Sequence, residues 1–257
     1  VDVIKTHVES RVAHIVLNRP EKRNALSPEL VDALKVEIST LLGSDDVKII
    51  VIKSADKPFC AGADLAHLAK IRDFSFEENL ADSQSLRALF DLIHGGEKIF
   101  ISQVEGPALA GGCGLASICD FCFATEDASF GYTESRIGFV PALVAVYLRQ
   151  RLKGSDIRDL LLSGRIITAA EAHKMGLVNE VVPAGAIEKA VNDFAAKLCT
   201  TVSSASVAHI KNLLRSIDGM DIPKALDFAA ELNARARAGA DCIAGIDAFL
   251  NKSKLEW

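Results

Sequence analysis

No apolar run in this chain approaches the ~20 residues that a helix needs to cross a bilayer, so a membrane-spanning helix is not expected. An excess of cationic residues is missing too: 29 Lys and Arg stand against 34 Asp and Glu, a net charge of −5. Neither nucleic acid nor an acidic membrane surface is therefore expected as a partner. The opening residues VDVIKTHVES lack the basic start and apolar centre of a secretory leader, and a cytoplasmic location is expected. There is no G-x-S-x-G elbow of a serine hydrolase, and the Gly-rich turn at 110–114 is not the G-x-G-x-x-G of a dinucleotide fold. Of the six cysteines, only Cys119 and Cys122 have C-x-x-C spacing. They lie in an apolar stretch with no second pair, which reads as core thiols rather than a metal or redox site. Neither internal repeats nor low-complexity linkers are present.

What is present is a chain of 257 residues with 49% hydrophobic and 25% charged residues, enough for one large α/β domain with a helical appendage. Residues 2–8 and 11–17 read as a hairpin with Glu9-Ser10 at the turn. Ser27-Pro28 supplies an N-cap and a first-turn proline. Leu30, Leu34, Ile38 and Leu41 then carry helical spacing to about Leu42. Strands at 48–53, 99–104 and 121–124 alternate with helices at 64–72, 77–94 and 111–119, the pattern of parallel strands with crossover helices. Residues 69–80 are the least patterned and are expected as a loop. Beyond Pro141 come helices at 142–151, 155–163 and 168–175, a strand at 177–182, and helices at 186–199, 203–216, 223–237 and 239–250, with Ser203 and Asp221 as caps.

Two turns carry chemistry. Strand 99–104 leads into EGPALAGGCGLASICD (105–120), where a helix beginning at Gly111 or Gly112 leaves its first N–H groups unpaired at the positive end of its dipole. Strand 48–53 leads into FCAGADL (59–65), a second strand-to-helix turn with a bare N–H to offer. Two converging donors of this kind outline an oxyanion hole. Tight helix–strand packing is the competing explanation of the glycines.

These stretches, with NRPEKRNAL at 18–26 and FGYTESRIGFVP at 130–141, resemble the crotonase superfamily of enoyl-CoA hydratases and isomerases, in the family's order and over nearly the whole chain. The resemblance implies a crotonase-like α/β fold of repeated β-β-α units with parallel sheets, a catalytic core over 1–195, and a helical subdomain over 196–257 that forms homotrimers or hexamers. It implies an acyl-CoA substrate, coenzyme A entering as part of that substrate and no separate cofactor or metal. It assigns the oxyanion donors to the amides of Ala61 and Gly111, and the lining of the acyl-CoA site to Ala61, Gly62, Ala63, Asp64, Leu65, Gly111 and Gly114. Glu134 falls where the family carries a catalytic glutamate. Its neighbours Tyr132, Ile137 and Phe139 are expected to raise its pKa, whereas an ion pair with Arg136 is expected to lower it.

One position departs from the pattern. Hydratases with two catalytic glutamates place the first just after GGC, where this chain has Gly114. The space left there is expected to admit water or a branched acyl group, and the 69–80 loop to close over the acyl chain. The expected reaction is hydration of a 2-enoyl-CoA, branched methylglutaconyl-like chains included. The alternative is a 3-enoyl to 2-enoyl shift on one glutamate. A CoA-binding protein without activity fits Gly114 as well, while an RNA-binding role is poorly supported by the acidic net charge. His67 and His94 read as packing or surface residues.

Overall fold

The computed structural model describes residues 2–257. In chain order its elements are β1 (Ile4–Glu9), β2 (Val12–Leu17), α1 (Pro28–Leu42), β3 (Ile49–Ser54), α2 (Leu65–Ile71), α3 (Phe76–Gly95), β4 (Ile99–Val104), β5 (Pro107–Leu109), α4 (Gly111–Ile118), β6 (Phe121–Thr125) and β7 (Ser129–Gly131). There follow α5 (Ala142–Arg151), α6 (Gly154–Ser163), β8 (Ile166–Thr168), α7 (Ala169–Met175), β9 (Glu180–Val182), α8 (Ile187–Thr201), α9 (Ser204–Ser216), α10 (Ile222–Arg237) and α11 (Ala240–Leu250). Among the described residues no helix is long and apolar enough to cross a membrane.

The main sheet has the order β1-β2-β3-β4-β6-β9, antiparallel only at the β1–β2 hairpin and parallel at every later pairing. Ser10 and Arg11 both take positive φ at the hairpin turn, so the turn lies one residue later than expected. Alternation along the strands sends Ala13, Ile15, Leu17, Ile50, Ile52 and Phe100 into the larger core, where α1 and α3 contribute Leu30, Leu34, Ile38, Leu89 and Phe90. The opposite face, with Val12, Ile49, Val51, Ile99 and Ile101, packs on Val191, Ala195 and Cys199 of α8. Because α8 runs unbroken through residues 195–196, the expected domain boundary falls inside a helix that belongs to the sheet's core.

A second, three-stranded sheet of β5, β7 and β8 was not foreseen. Its strands have three residues each, too short for an alternating pattern to be read. The 69–80 segment is mostly helical rather than a loop. α3 begins at Phe76 because Ser75 and Glu78 form a capping box, and only residues 72–75 separate it from α2. Helices α9, α10 and α11 contain no fully buried residue. The hydroxyl of Ser203 accepts from Ser206 N–H at 3.0 Å and donates to Asp241 at 2.6 Å, tying α9 to α11.

Candidate active site

The site grows from the segment that follows β2. Arg23 and Asn24 both adopt left-handed backbone, which turns the chain sharply after Pro20. The Asn24 side chain holds that turn: its oxygen accepts from Arg19 N–H at 2.8 Å, and its amide donates to Ser54 Oγ at 2.7 Å and Pro58 O at 3.1 Å. The resulting brace lies along the 59–65 turn. Ala61 N–H donates to Arg23 O at 3.0 Å, Leu26 N–H to Gly62 O at 2.7 Å, and Asp64 N–H to Leu26 O at 3.1 Å.

This pairing corrects one expectation. The Ala61 amide is occupied by the Arg23 carbonyl and has no second proton for a substrate oxygen. Around the parallel bridge of Ala63 to Leu26, the Gly62 carbonyl and the Asp64 N–H both face Leu26, so the Ala63 N–H between them faces away from the brace. It meets no acceptor among the described residues, and Ala63 itself is exposed. The sequence could not separate the two alanines of C-A-G-A-D, because the distinction lies in which residue pairs with Leu26.

The second turn is stitched to the first. Leu109 N–H donates to Cys60 O at 2.9 Å, and Ala110 N–H donates to Gly131 O at 2.7 Å. Gly62 has φ +91°, and a Cβ there would come within 2.8 Å of the Ala110 Cβ. Gly112 is equally constrained, since a Cβ would lie 2.6 Å from Cys60 Cβ and 2.7 Å from its sulfur. These glycines hold the turns in van der Waals contact. Ala110 precedes α4 at φ 50°, ψ −126°, a conformation that glycine dominates. The amides of Gly111, Gly112 and Cys113 form the open end of α4 and have no backbone acceptor among the described residues. At the other end of α4, Arg151 donates to Ser117 O and Cys119 O at 2.7 Å each, neutralising the negative pole of the helix.

Asp64, expected to line the substrate site, is committed elsewhere. One carboxylate oxygen accepts from Ala66 and His67 N–H at the start of α2, and the other from Arg19 at 3.0 Å. Burial opposes its ionisation, but the Arg19 hydrogen bond, the two amides and the guanidinium charge outweigh that and hold its pKa below the usual value. Arg19, not recognised as a site residue in the sequence, is thus a support of the turn. Leu65 opens α2 with 82% of its surface exposed. His67 joins α2 to α3 through Asp82 at 2.7 Å, and the His94 ring packs on Tyr147.

Glu134 opens a 3-10 turn over Glu134–Ile137. It is buried, 8% exposed, and its Oε2 has no hydrogen-bond partner. Burial raises its pKa, with its own backbone N–H pulling weakly the other way. Arg136 is exposed and forms no ion pair with it or with any other carboxylate among the described residues, so the expected opposing influence is absent. Gly114 is buried, and its surroundings are full. A Cβ there would lie 2.5 Å from Val144 Cγ1 and 3.1 Å from Phe90 Cζ. The space expected for water or an acyl branch is occupied by those two side chains. Cys60, Cys113, Cys119 and Cys122 are fully buried free thiols whose pKa values burial raises, in accord with core packing.

Open amides on two stitched turns and a buried carboxyl whose pKa is raised are the kinds of group that proton transfer beside a carbonyl requires. The particular family follows from comparison with known proteins. The sequence profile of the enoyl-CoA hydratase/isomerase family matches residues 7–257, and the chain belongs to that family. It is 41% identical over 247 residues, 95% of this chain and 96% of the relative, to a Thermus thermophilus protein provisionally named an enoyl-CoA hydratase. A crotonyl-CoA hydratase of Syntrophomonas wolfei is 32% identical, with 96% of this chain and 94% of that protein covered. Among solved structures, an enoyl-CoA hydratase from Shewanella pealeana superposes with a TM-score of 0.94 at 28% identity, covering 99% of this chain and 96% of that one. The fold is accordingly that of the crotonase superfamily.

Proposed function

We propose that this enzyme hydrates a 2-enoyl-CoA, holding the thioester oxygen on the amides of Ala63 and Gly111 and moving the proton with Glu134 alone. The observation that carries this reading is the buried Glu134 carboxyl, whose Oε2 has no hydrogen-bond partner and whose pKa burial raises. When water adds to the β-carbon, the Glu134 carboxylate takes one water proton and the hydroxyl bonds to carbon. The electron pair of the double bond passes to the thioester oxygen, where the two amides stabilise it, and the proton on Glu134 then returns to the α-carbon. One such amide is typically worth ~3 kcal/mol in the transition state. The names of the relatives, among them a crotonyl-CoA hydratase and a short-chain-enoyl-CoA hydratase, support hydration. Coenzyme A belongs to the substrate in this reading.

A second reading is favoured by the packing at Gly114. With Val144 and Phe90 packed there, position 114 supplies no second carboxylate to hold water. A single base suffices to lift the α-proton of a 3-enoyl thioester and return it to the γ-carbon. Offering crotonyl-CoA and a 3-enoyl-CoA side by side, with ultraviolet detection of hydration and of conjugation, ranks the two. In Glu134→Gln the faster reaction is expected to fall by ~10²–10⁴-fold, and near-normal rates would remove Glu134 from the mechanism. Gly111→Pro deletes one proposed donor at a helix position that tolerates proline and is expected to abolish turnover in a chain that keeps its circular dichroism.

The assembly belongs to the same proposal. Ile243, Ile246, Phe249 and Leu250 of α11 are between 51% and 83% exposed, and covering such a stripe by further copies of the chain fits a trimer or a pair of trimers.

A further inference from the structure

Strands β2, β3 and β4 run parallel, and their carboxyl ends lead to the two turns of the active site. At their amino ends, six residues away along each strand and so roughly 20 Å from the turns, lies a cleft of about 280 Å³. Three cations surround it: Arg11 before β2, Lys48 before β3 and Lys98 before β4. No Asp or Glu side chain is ion-paired with any of them among the described residues. Their partners are main-chain oxygens. Lys48 Nζ donates to Cys199 O at 2.9 Å and to Val202 O, at the end of α8. Lys98 Nζ donates to Leu41 O at 2.6 Å and to Ser44 O, at the end of α1. Arg11 donates from one terminal nitrogen to Trp257 O at 2.9 Å.

Capping two helix ends does not account for all of this charge. Each helix C-terminus carries about −0.5, so the two together offset about one of the two lysine charges. Each ammonium has three protons and uses two, and Arg11 has further N–H groups beyond the one engaged. Ser204, the first residue of the 13-residue helix α9, also lines the cleft and adds the positive end of a helix dipole. Asp45 and Glu97 stand on the rim, exposed and hydrogen-bonded to none of the three cations. Burial and the neighbouring Arg11 charge lower the pKa of Lys48, as they do that of Lys98, where Asp45 partly opposes them.

We propose that this cleft binds a small phosphate or diphosphate group through the spare donors of Arg11, Lys48 and Lys98, at a site separate from the one that takes the acyl-CoA. Its volume suits one such group rather than a whole coenzyme. The rim carboxylates select against bulkier anions that must pass close to them.

The test is calorimetric titration of the full chain with inorganic pyrophosphate, with orthophosphate as a second arm and sodium sulfate at matched ionic strength as the reference. One saturable site is expected, weakened about tenfold by Arg11→Gln and by Lys98→Met, with the KM for the acyl-CoA substrate unchanged in Arg11→Gln. Arg11 is exposed at a turn, so that variant tests the cleft even if Lys98→Met does not fold. Two results overturn the proposal. One is the absence of saturable binding beyond that of sulfate. The other is binding that Arg11→Gln retains in full; where acyl-CoA also competes with it, pyrophosphate lies in the substrate site.

Discussion

Arg19 donates to the Asp64 carboxylate at 3.0 Å, joining the segment after β2 to the N-cap of the active-site helix α2 across 45 positions of sequence. Side-chain exposure of 13% and 7% leaves little water to replace either partner. Arg19→Met is expected to cost about 3 kcal/mol in chemical denaturation, because it strands a buried carboxylate, and to lower kcat through the loosened Ala63 turn. Asp64→Asn keeps an N-cap oxygen and is expected to cost less. The pKa of Asp64 is lower in the folded than in the unfolded chain. Its contribution is therefore complete above about pH 4, the unfolded value, and is lost as pH falls through the lower folded value. The stability difference between wild type and Asp64→Asn should accordingly shrink below about pH 4.

Packing at Gly114 yields a double-mutant cycle. Gly114→Ala places a methyl group against Val144 Cγ1 and Phe90 and is expected to destabilise by about 1–3 kcal/mol. Val144→Ala removes the nearest obstacle. In Gly114→Ala/Val144→Ala the two costs should fail to add, with a coupling of about 1 kcal/mol or more in urea denaturation. Strict additivity would mean that the two residues do not share the space.

Much of this architecture could be read in the sequence because its signals are local. KIIVIK and IFISQV are apolar runs bounded by turns, and Ser27-Pro28, Ser203 and Asp221 cap the helices they were expected to cap. The two turns and Glu134 stood out through their motifs. What could not be read depends on tertiary pairing. The bonded amide of Ala61 and the open one of Ala63 follow from the register against Leu26, the role of Arg19 from a contact 45 residues away, and the filled space at Gly114 from α5 crossing α4. The short sheet β5-β7-β8 is a tertiary construction of the same kind.

Ala110 carries the strain of the second turn. Its φ of 50° with ψ of −126° costs a residue with a Cβ roughly 1–3 kcal/mol, a cost that glycine escapes. Ala110→Gly is expected to raise Tm if the relief exceeds the entropy that glycine adds to the unfolded chain. Since Ala110 directly precedes Gly111, the same change should lower kcat more than it alters KM. A fall in Tm would mean that the lost methyl contact with the Gly62 turn outweighs the strain.

The α11 stripe predicts assembly. Sedimentation at micromolar concentration is expected to give a trimer or a hexamer, and Phe249→Asp, at a residue 83% exposed in the single chain, is expected to shift it toward monomer. A clean wild-type monomer would leave the stripe without the cover proposed for it.

Glu134 links pH to both rate and stability. Its folded pKa lies above the ordinary carboxylate value because burial penalises the charge. The carboxylate is the form that accepts a proton, so kcat/KM should rise with pH through that raised value, and the rise should vanish in Glu134→Gln. The effect on stability runs in the opposite direction to that of Asp64. The unfolded chain ionises first, near about pH 4.3, so the penalty for burying the charge is absent below that pH and complete above the folded pKa. At neutral pH Glu134→Gln should therefore be more stable than wild type while losing ~10²–10⁴ in rate, and its stability advantage should fade below about pH 4. A buried glutamate without a catalytic role would give the gain in stability on removal but not the lost limb of the rate profile. Both measurements use the same two proteins, and a variant that is slower but no more stable at neutral pH would contradict the claim that Glu134 is held charged in a desolvated site.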